Sequence, residues 1–196
     1  MFGNPQTEFT GDASRPDVVK LGGSLFDLEG LPGLVHGLRR AGRTTIIVPG
    51  GGPVVDGIRS LHPAMLRQRG DMPAAAIEHR VSLLACDATA EWTAGLLGMP
   101  RIGRLSQASD VCVASASLGI DPAPIQNWST TSDTLSLMIA HSVGAARLTL
   151  LKSVGPFESL DAAVAAGALD DVFPRRVEGM PVRWLNLRSG ESADVT

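Results

Sequence analysis

The sequence contains no tyrosine, and aromatic residues fill only 4% of its 196 positions. That shortage removes the stacking platforms on which single-stranded nucleic acid is bound. The formal net charge is -3, so there is no basic footprint for duplex binding either, and no nucleic-acid partner is expected. No apolar run approaches the roughly 20 residues of a membrane span, so no membrane partner is expected. Cysteine is limited to Cys86 and Cys112, each in an apolar context and without metal-ligand spacing. Buried, reduced thiols and a cytoplasmic location follow as expectations. The scarcest charged residue is lysine: Lys20 and Lys152 stand against fifteen arginines.

What remains is ample for a core. The chain is 44% hydrophobic and 19% charged, which excludes global disorder and fits one domain of ordinary size. The opening MFGNPQTEFTGDASRP has neither a basic leader nor an apolar centre. Residues 1–16 read as a disordered polar tail rather than a signal peptide, and residues 17–196 as a single domain.

Short runs rich in Val, Ile and Leu predict strands at Asp17–Leu21, Thr44–Val48, Asp110–Ala114, Arg147–Leu151 and Val182–Leu187. Helical patterns fall between them at Leu31–Ala41, Val54–His62, Ala74–Leu97, Thr131–Val143 and Leu160–Ala166. The longest helix carries Ile77, Val81, Leu84, Ala85, Ala88, Trp92 and Leu96 as an apolar stripe, read as its core face. This alternation predicts an α/β fold, a three-layer αβα sandwich around a mainly parallel sheet. Ligands of such sheets bind beyond the carboxyl ends of the strands, where both lysines fall.

Four motifs gather there. Lys20-Leu21-Gly22-Gly23-Ser24 runs a strand into a turn whose backbone N–H groups can approach an anion. Val48-Pro49-Gly50-Gly51-Gly52-Pro53, followed by Asp56, places three glycines before a helix start that favours negative charge. Asn127-Trp128-Ser129-Thr130-Thr131-Ser132-Asp133 crowds hydroxyls and a carboxylate at another helix start. Thr131 or Ser132 would cap that helix, and Asp133 could also lie between two ammonium groups. Lys152-Ser153-Val154-Gly155-Pro156-Phe157 delivers the second lysine to a loop. A compact, rotatable ammonium suits a moving phosphate differently from the planar fork of arginine. His36, His62, His79 and His141 lie outside these motifs and are read as structural.

From about Asp17 to Gly155, these motifs resemble the amino-acid kinase family, which includes acetylglutamate, aspartate, uridylate and isopentenyl-phosphate kinases. The resemblance implies a carbamate-kinase-like fold and ATP-dependent phosphoryl transfer. It gives catalytic roles to Lys20, Lys152 and Asp133, and phosphate or substrate binding to Gly22, Gly23, Ser24, Gly50, Gly51, Gly52, Thr131 and Ser132. Nucleotide contacts fall to Lys152, Ser153 and Gly155, with ATP and Mg²⁺ as cofactors and the Mg²⁺ held mainly by ATP phosphates.

Trp128 to Asp133, the strand-ending lysine, Val182 to Asn186 and the long helix look like one small aspartokinase-related branch. That branch contains the aminomethylfuran-methyl-phosphate kinase of methanofuran biosynthesis. The implied acceptor is a small phosphate monoester, in furan-type one-carbon cofactor biosynthesis, and the implied assembly is a homodimer or higher homo-oligomer.

The chain also departs from the family. Where the family often has Thr-Asp-Val-Asp-Gly, this sequence reads Lys152-Ser153-Val154-Gly155, and only 44 residues follow Lys152. The stretch ESLDAAVAAGALDDVF carries no further glycine-rich segment or lysine. The alternative is therefore a non-catalytic nucleotide- or oxyanion-binding member, as molybdenum-storage proteins are. A dinucleotide-dependent oxidoreductase is disfavoured, since no G-x-G-x-x-G follows the first strand.

Overall fold

The computed structural model describes residues 15–69, 74–119 and 130–195. Seven strands form one sheet: β1 (Asp17–Leu21), β2 (Thr45–Pro49), β3 (Arg101–Ile102), β4 (Val111–Ala114), β5 (Arg147–Lys152), β6 (Val182–Asn186) and β7 (Ser192–Val195). Their order is β3-β4-β2-β1-β5-β6-β7, and every pairing is parallel except β6 with β7. The central strands are apolar on both faces because both faces are covered. Val18, Ile46 and Cys112 join one core cluster, while their neighbours Val19, Ile47 and Val113 join the other.

The helices are α1 (Leu31–Gly37), α2 (Gly52–Ser60), α3 (His62–Arg69), α4 (Ala74–Leu97), α5 (Ser132–Ser142), α6 (Leu160–Ala165) and α7 (Phe173–Arg176). Leu135, Leu137 and Ile139 of α5 bury against the first face, with Val55 of α2, Leu160 of α6 and Phe173 of α7. Leu31 and Val35 of α1 cover the other face, with Ala90, Ala94 and Leu97 of α4. The result is the αβα sandwich that the alternating pattern predicts. Each fully buried Leu, Ile or Phe contributes about 1.5–3 kcal/mol of transfer free energy.

The five expected strands are present within one or two residues. Two short edge strands, β3 and β7, and two helices, α3 and α7, are additional. Arg15 and Pro16, assigned to the tail, are already bonded to the body. Arg15 donates to the carbonyls of Gly144 and Ala145, and the Pro16 carbonyl accepts from Ala146 N. The rest of the tail, and Asn127, Trp128 and Ser129, lie outside the described residues.

The stripe on α4 is a correction. Val81, Leu84, Trp92 and Leu96 are exposed, Leu84 by 66% and Trp92 by 48%. Ala85 of the stripe is buried as expected, on a face shared with Glu78, His79, Ser82, Cys86, Thr89, Ala90, Thr93, Ala94 and Leu97. Small side chains let much of the helix backbone come close to the core, and Val81, Leu84, Trp92 and Leu96 are left on the outside. Among the described residues, no helix is long and apolar enough to cross a membrane.

Candidate active site

Strand register brings the two lysines together. Lys20 pairs with Leu150 of β5, so Lys152 lies two residues further along the neighbouring strand. Side chains alternate along a strand, which puts both ammonium groups on the same sheet face, the one covered by α5. The first turn of α5 sets Asp133 against them. Lys152 Nζ donates to Asp133 Oδ2 at 2.7 Å. Lys20 Nζ lies 2.7 Å from Oδ1, as an ion pair. All three residues are buried, with 4%, 6% and 7% exposure for Lys20, Asp133 and Lys152.

Burial alone would raise the Asp133 carboxyl, but the charges of Lys152 and Lys20 outweigh it and hold the group down at about 2. Burial pushes Lys152 the other way for a base, down to about 8, with Lys20 adding to the effect and Asp133 opposing it. Lys152 has further partners. It donates to the Ala168 carbonyl at 2.6 Å and stands 5.4 Å from the centre of the Trp184 ring.

The two glycine loops meet backbone to backbone. A Cβ on Gly23 would overlap Gly52 Cα and N, and Gly52 itself has a left-handed φ of +50°. Gly50 N donates to the Leu21 carbonyl at 2.8 Å, and Gly22 N to the Leu151 carbonyl at 2.9 Å. Gly23 is therefore required by the closeness of Gly52, Gly22 by the Leu151 carbonyl and Gly50 by the Ser132 hydroxyl, reasons independent of any ligand. Side chains tie the lysine loops as well: Ser24 Oγ and Ser153 Oγ are 2.8 Å apart.

The start of α5 is both capped and clamped. Thr131 Oγ1 accepts from Asp133 N at 3.3 Å and donates to Asp170 Oδ2 at 2.7 Å. Asp170 also accepts from the backbone N–H of Thr131, Thr134 and Phe173 and from the Thr134 hydroxyl. One buried carboxylate thus fixes the helix that carries Asp133 to the segment that carries Ala168.

A cavity of about 560 Å³ opens on this cluster, within the usual range for small-molecule sites. Gly23, Ser24, Gly50, Gly51, Gly52, Thr131, Ser132, Asp133, Lys152 and Ser153 all line it. Lys20 is joined to it through Asp133. Gly22 and Gly155 are not among its lining residues. Gly155 is a turn position pressed against Trp184, and its carbonyl accepts from Asn186 Nδ2.

The cavity also takes in Arg59, His79, Ser82 and Asp170, which no motif marked. His79, read as structural, is buried and lines the cavity. His36, His62 and His141 instead bond Leu97, Glu78 and Arg176. Cys86 and Cys112 are free and buried; burial pushes the Cys86 thiol up to about 11, far from a reactive thiolate. Among the described residues, no cluster of three or more His, Cys, Asp or Glu could hold a metal ion.

No protein-family model and no curated protein matches this chain. Solved structures do. A UMP kinase from Ureaplasma parvum superposes with a TM-score of 0.61 at 12% identity, covering 91% of this chain and 92% of that one. The aspartate kinase of Clostridium acetobutylicum gives 0.56 at 13%, covering 91% of this chain and 62% of its own. Giardia carbamate kinase gives 0.53 at 11%, covering 94% and 99%. At these identities the likeness concerns architecture: the chain has the αβα fold of the UMP, aspartate and carbamate kinases.

Proposed function

We propose that the protein transfers a phosphoryl group from ATP to a small acceptor that is itself a phosphate monoester. The observation that carries this reading is Asp133 set between two buried ammonium groups, 2.7 Å from each, at the edge of the cavity. Phosphoryl transfer asks a protein mainly for positioning and for fixed positive charge where negative charge develops. Asp133 holds both cations in place without neutralising either completely. A phosphate-monoester acceptor is already ionised near neutral pH, so it needs no general base.

The chain's residues fit a nucleotide. Lys152 and Ser153 would hold its phosphates, and the Gly50–Gly52 loop would hold the acceptor phosphate. ATP supplies the transferable phosphoryl group, and Mg²⁺ would be carried chiefly on its phosphates, because both Asp133 oxygens are committed to lysines. The kinases sharing this fold support the reaction class. The resemblance of the motifs to the aminomethylfuran branch supports an acceptor in furan-type one-carbon cofactor biosynthesis.

ADP release measured with ATP–Mg²⁺ and a panel of phosphate monoesters tests this reading. At least one acceptor should give ADP well above the acceptor-free rate. Equal rates across a broad panel would remove it.

A second reading, nucleotide or oxyanion binding without turnover, is favoured by the Lys152 bond to the Ala168 carbonyl, which occupies one donor of that ammonium. Calorimetric binding of ATP with no ADP formed under any acceptor would select it.

We also propose a homodimer through the outer face of α4. Val81, Leu84, Trp92 and Leu96 expose a row of large apolar side chains along it. Such a patch marks an interaction surface, and a two-fold pair is the commonest way to cover one. Light scattering should give twice the chain mass, and Leu84→Glu should halve it. An unchanged mass would place the contact elsewhere.

A further inference from the structure

Two side chains bridge the start of α5 and residues 167–173. One is Lys152, whose ammonium donates to Asp133 Oδ2 at 2.7 Å on the α5 side and to the Ala168 carbonyl at 2.6 Å on the other. The second is Asp170, buried beside it. Its Oδ2 accepts from Thr131 N at 3.0 Å, Thr131 Oγ1 at 2.7 Å and Thr134 N at 3.2 Å. Its Oδ1 accepts from the Thr134 hydroxyl and from Phe173 N at 3.0 Å. An ionised carboxylate has roughly four acceptor sites, and these donors fill them. Asp170 therefore lines the cavity with nothing left to offer a ligand. Whatever it does for the site, it does through the groups it holds.

Those groups are the two acceptors of Lys152. Ala168 stands between two anchors: the N–H groups of Ala168 and Leu169 donate to the Ala163 carbonyl, and Asp170 ties the far side to α5. The same carboxylate holds Thr131 and Thr134, which flank Asp133 in the first turn of α5. A lysine stem is long and flexible, so its ammonium stays in one place only while both acceptors do.

We infer that Asp170 is a positioning residue: through the Ala168 carbonyl and the first turn of α5, it holds the Lys152 ammonium at one point on the cavity wall. That this hold serves phosphoryl transfer rests on the kinase reading above; the hold itself does not.

The chain has only two lysines, so full-length protein carrying lysine labelled with carbon-13 at Cε gives two NMR signals, told apart by Lys152→Arg. A free lysine averages its ε-methylene protons to one shift by rotamer exchange in roughly ps–ns, whereas a held one keeps them distinct. Wild type should show distinct protons for Lys152. In Asp170→Asn an NH₂ group must face backbone N–H donors on one side or the other, so the clamp opens and the Lys152 protons should merge. Asp170→Glu keeps the charge but sets it one methylene too far to meet Thr131, Thr134 and Phe173 together. It should merge them as well, and it decides the matter if Asp170→Asn does not fold. Ile139→Ala, fully buried further along α5, should lower the thermal midpoint and leave the Lys152 protons distinct. In kcat/KM for ADP release, both Asp170 variants should lose about 10–100-fold and Ile139→Ala much less.

Merged protons in wild type, distinct protons in a folded Asp170 variant, or equal merging in Ile139→Ala overturns the inference. So does an unchanged kcat/KM in an Asp170 variant whose Lys152 protons have merged. If they merge as expected but no protein, wild type included, releases ADP, the hold on Lys152 stands and the kinase reading alone fails.

Discussion

Lys20 and Lys152 share one carboxylate, but the protein treats them differently. Among the described residues, the Lys20 ammonium has a single partner, Asp133, at 2.7 Å. Lys152 is bonded to Asp133 and Ala168 and backed by the Trp184 ring. An ammonium has three donors. Lys20 therefore keeps most of its donor capacity for a substrate oxygen, and Lys152 has given up two of its three. In the proposed reaction, Lys20 is the cation able to follow the moving phosphoryl group, and Lys152 is a fixed charge. The surroundings agree with that division. Lys20 leads into two glycine loops that meet at Gly23 and Gly52, whereas Lys152 leads into a turn packed on Trp184.

The sharpest way to break this contrast is Lys20→Arg. The variant should fold, because charge and burial are retained, yet lose about 10²–10³ in kcat/KM as the planar fork misplaces the positive charge. ATP-dependent turnover close to wild type would end the assigned role of Lys20.

Asp133→Asn tests the shared carboxylate. It leaves two buried ammonium groups without a counter-charge and should cost about 3 kcal/mol in urea unfolding. Lys152 keeps the Ala168 carbonyl, so the loss should shrink markedly when Lys20 is also replaced by Met. Strict additivity of the two changes would show that Asp133 does not serve Lys20.

Lys152 titrates at about 8 in the folded chain against 10.5 for an ordinary lysine, so its cation is lost early as pH rises. The kcat/KM profile should fall above about pH 8, approaching tenfold per pH unit, and Lys152→Arg should flatten that limb at a lower plateau. A limb unmoved by Lys152→Arg would assign it to another group. At the acid end, Asp133 titrates at about 2 instead of 3.8. It therefore contributes stability above pH 4 that is lost as pH falls through about 2, on the order of 2 kcal/mol.

Much of this architecture is legible in the chain. TIIV and LTLL are near-continuous apolar runs, buried at every position because both faces of their strands are covered, and that composition is local. Lys20, the glycine runs and Asp133 are legible as motifs for the same reason: their residue types are unusual at those positions. The buried face of α4 is not legible in this way, because its large apolar side chains Val81, Leu84, Trp92 and Leu96 are exposed. Close packing selects small residues there, Ala90 and Ala94 beside Ala85. His79, Ser82 and Asp170 left no local signal. A histidine or serine on a helix, and an aspartate in a loop, are ordinary until a distant element packs against them.

The sequence by itself determined the alternation of strands and helices, the rarity of lysine and the two glycine turns, since each depends on near neighbours along the chain. Only the tertiary structure decided that Lys20 and Lys152 face one carboxylate, because that needs strand register together with the placement of α5. It also decided why Gly23 and Gly52 must be glycine: each occupies the space a side chain on the other would need.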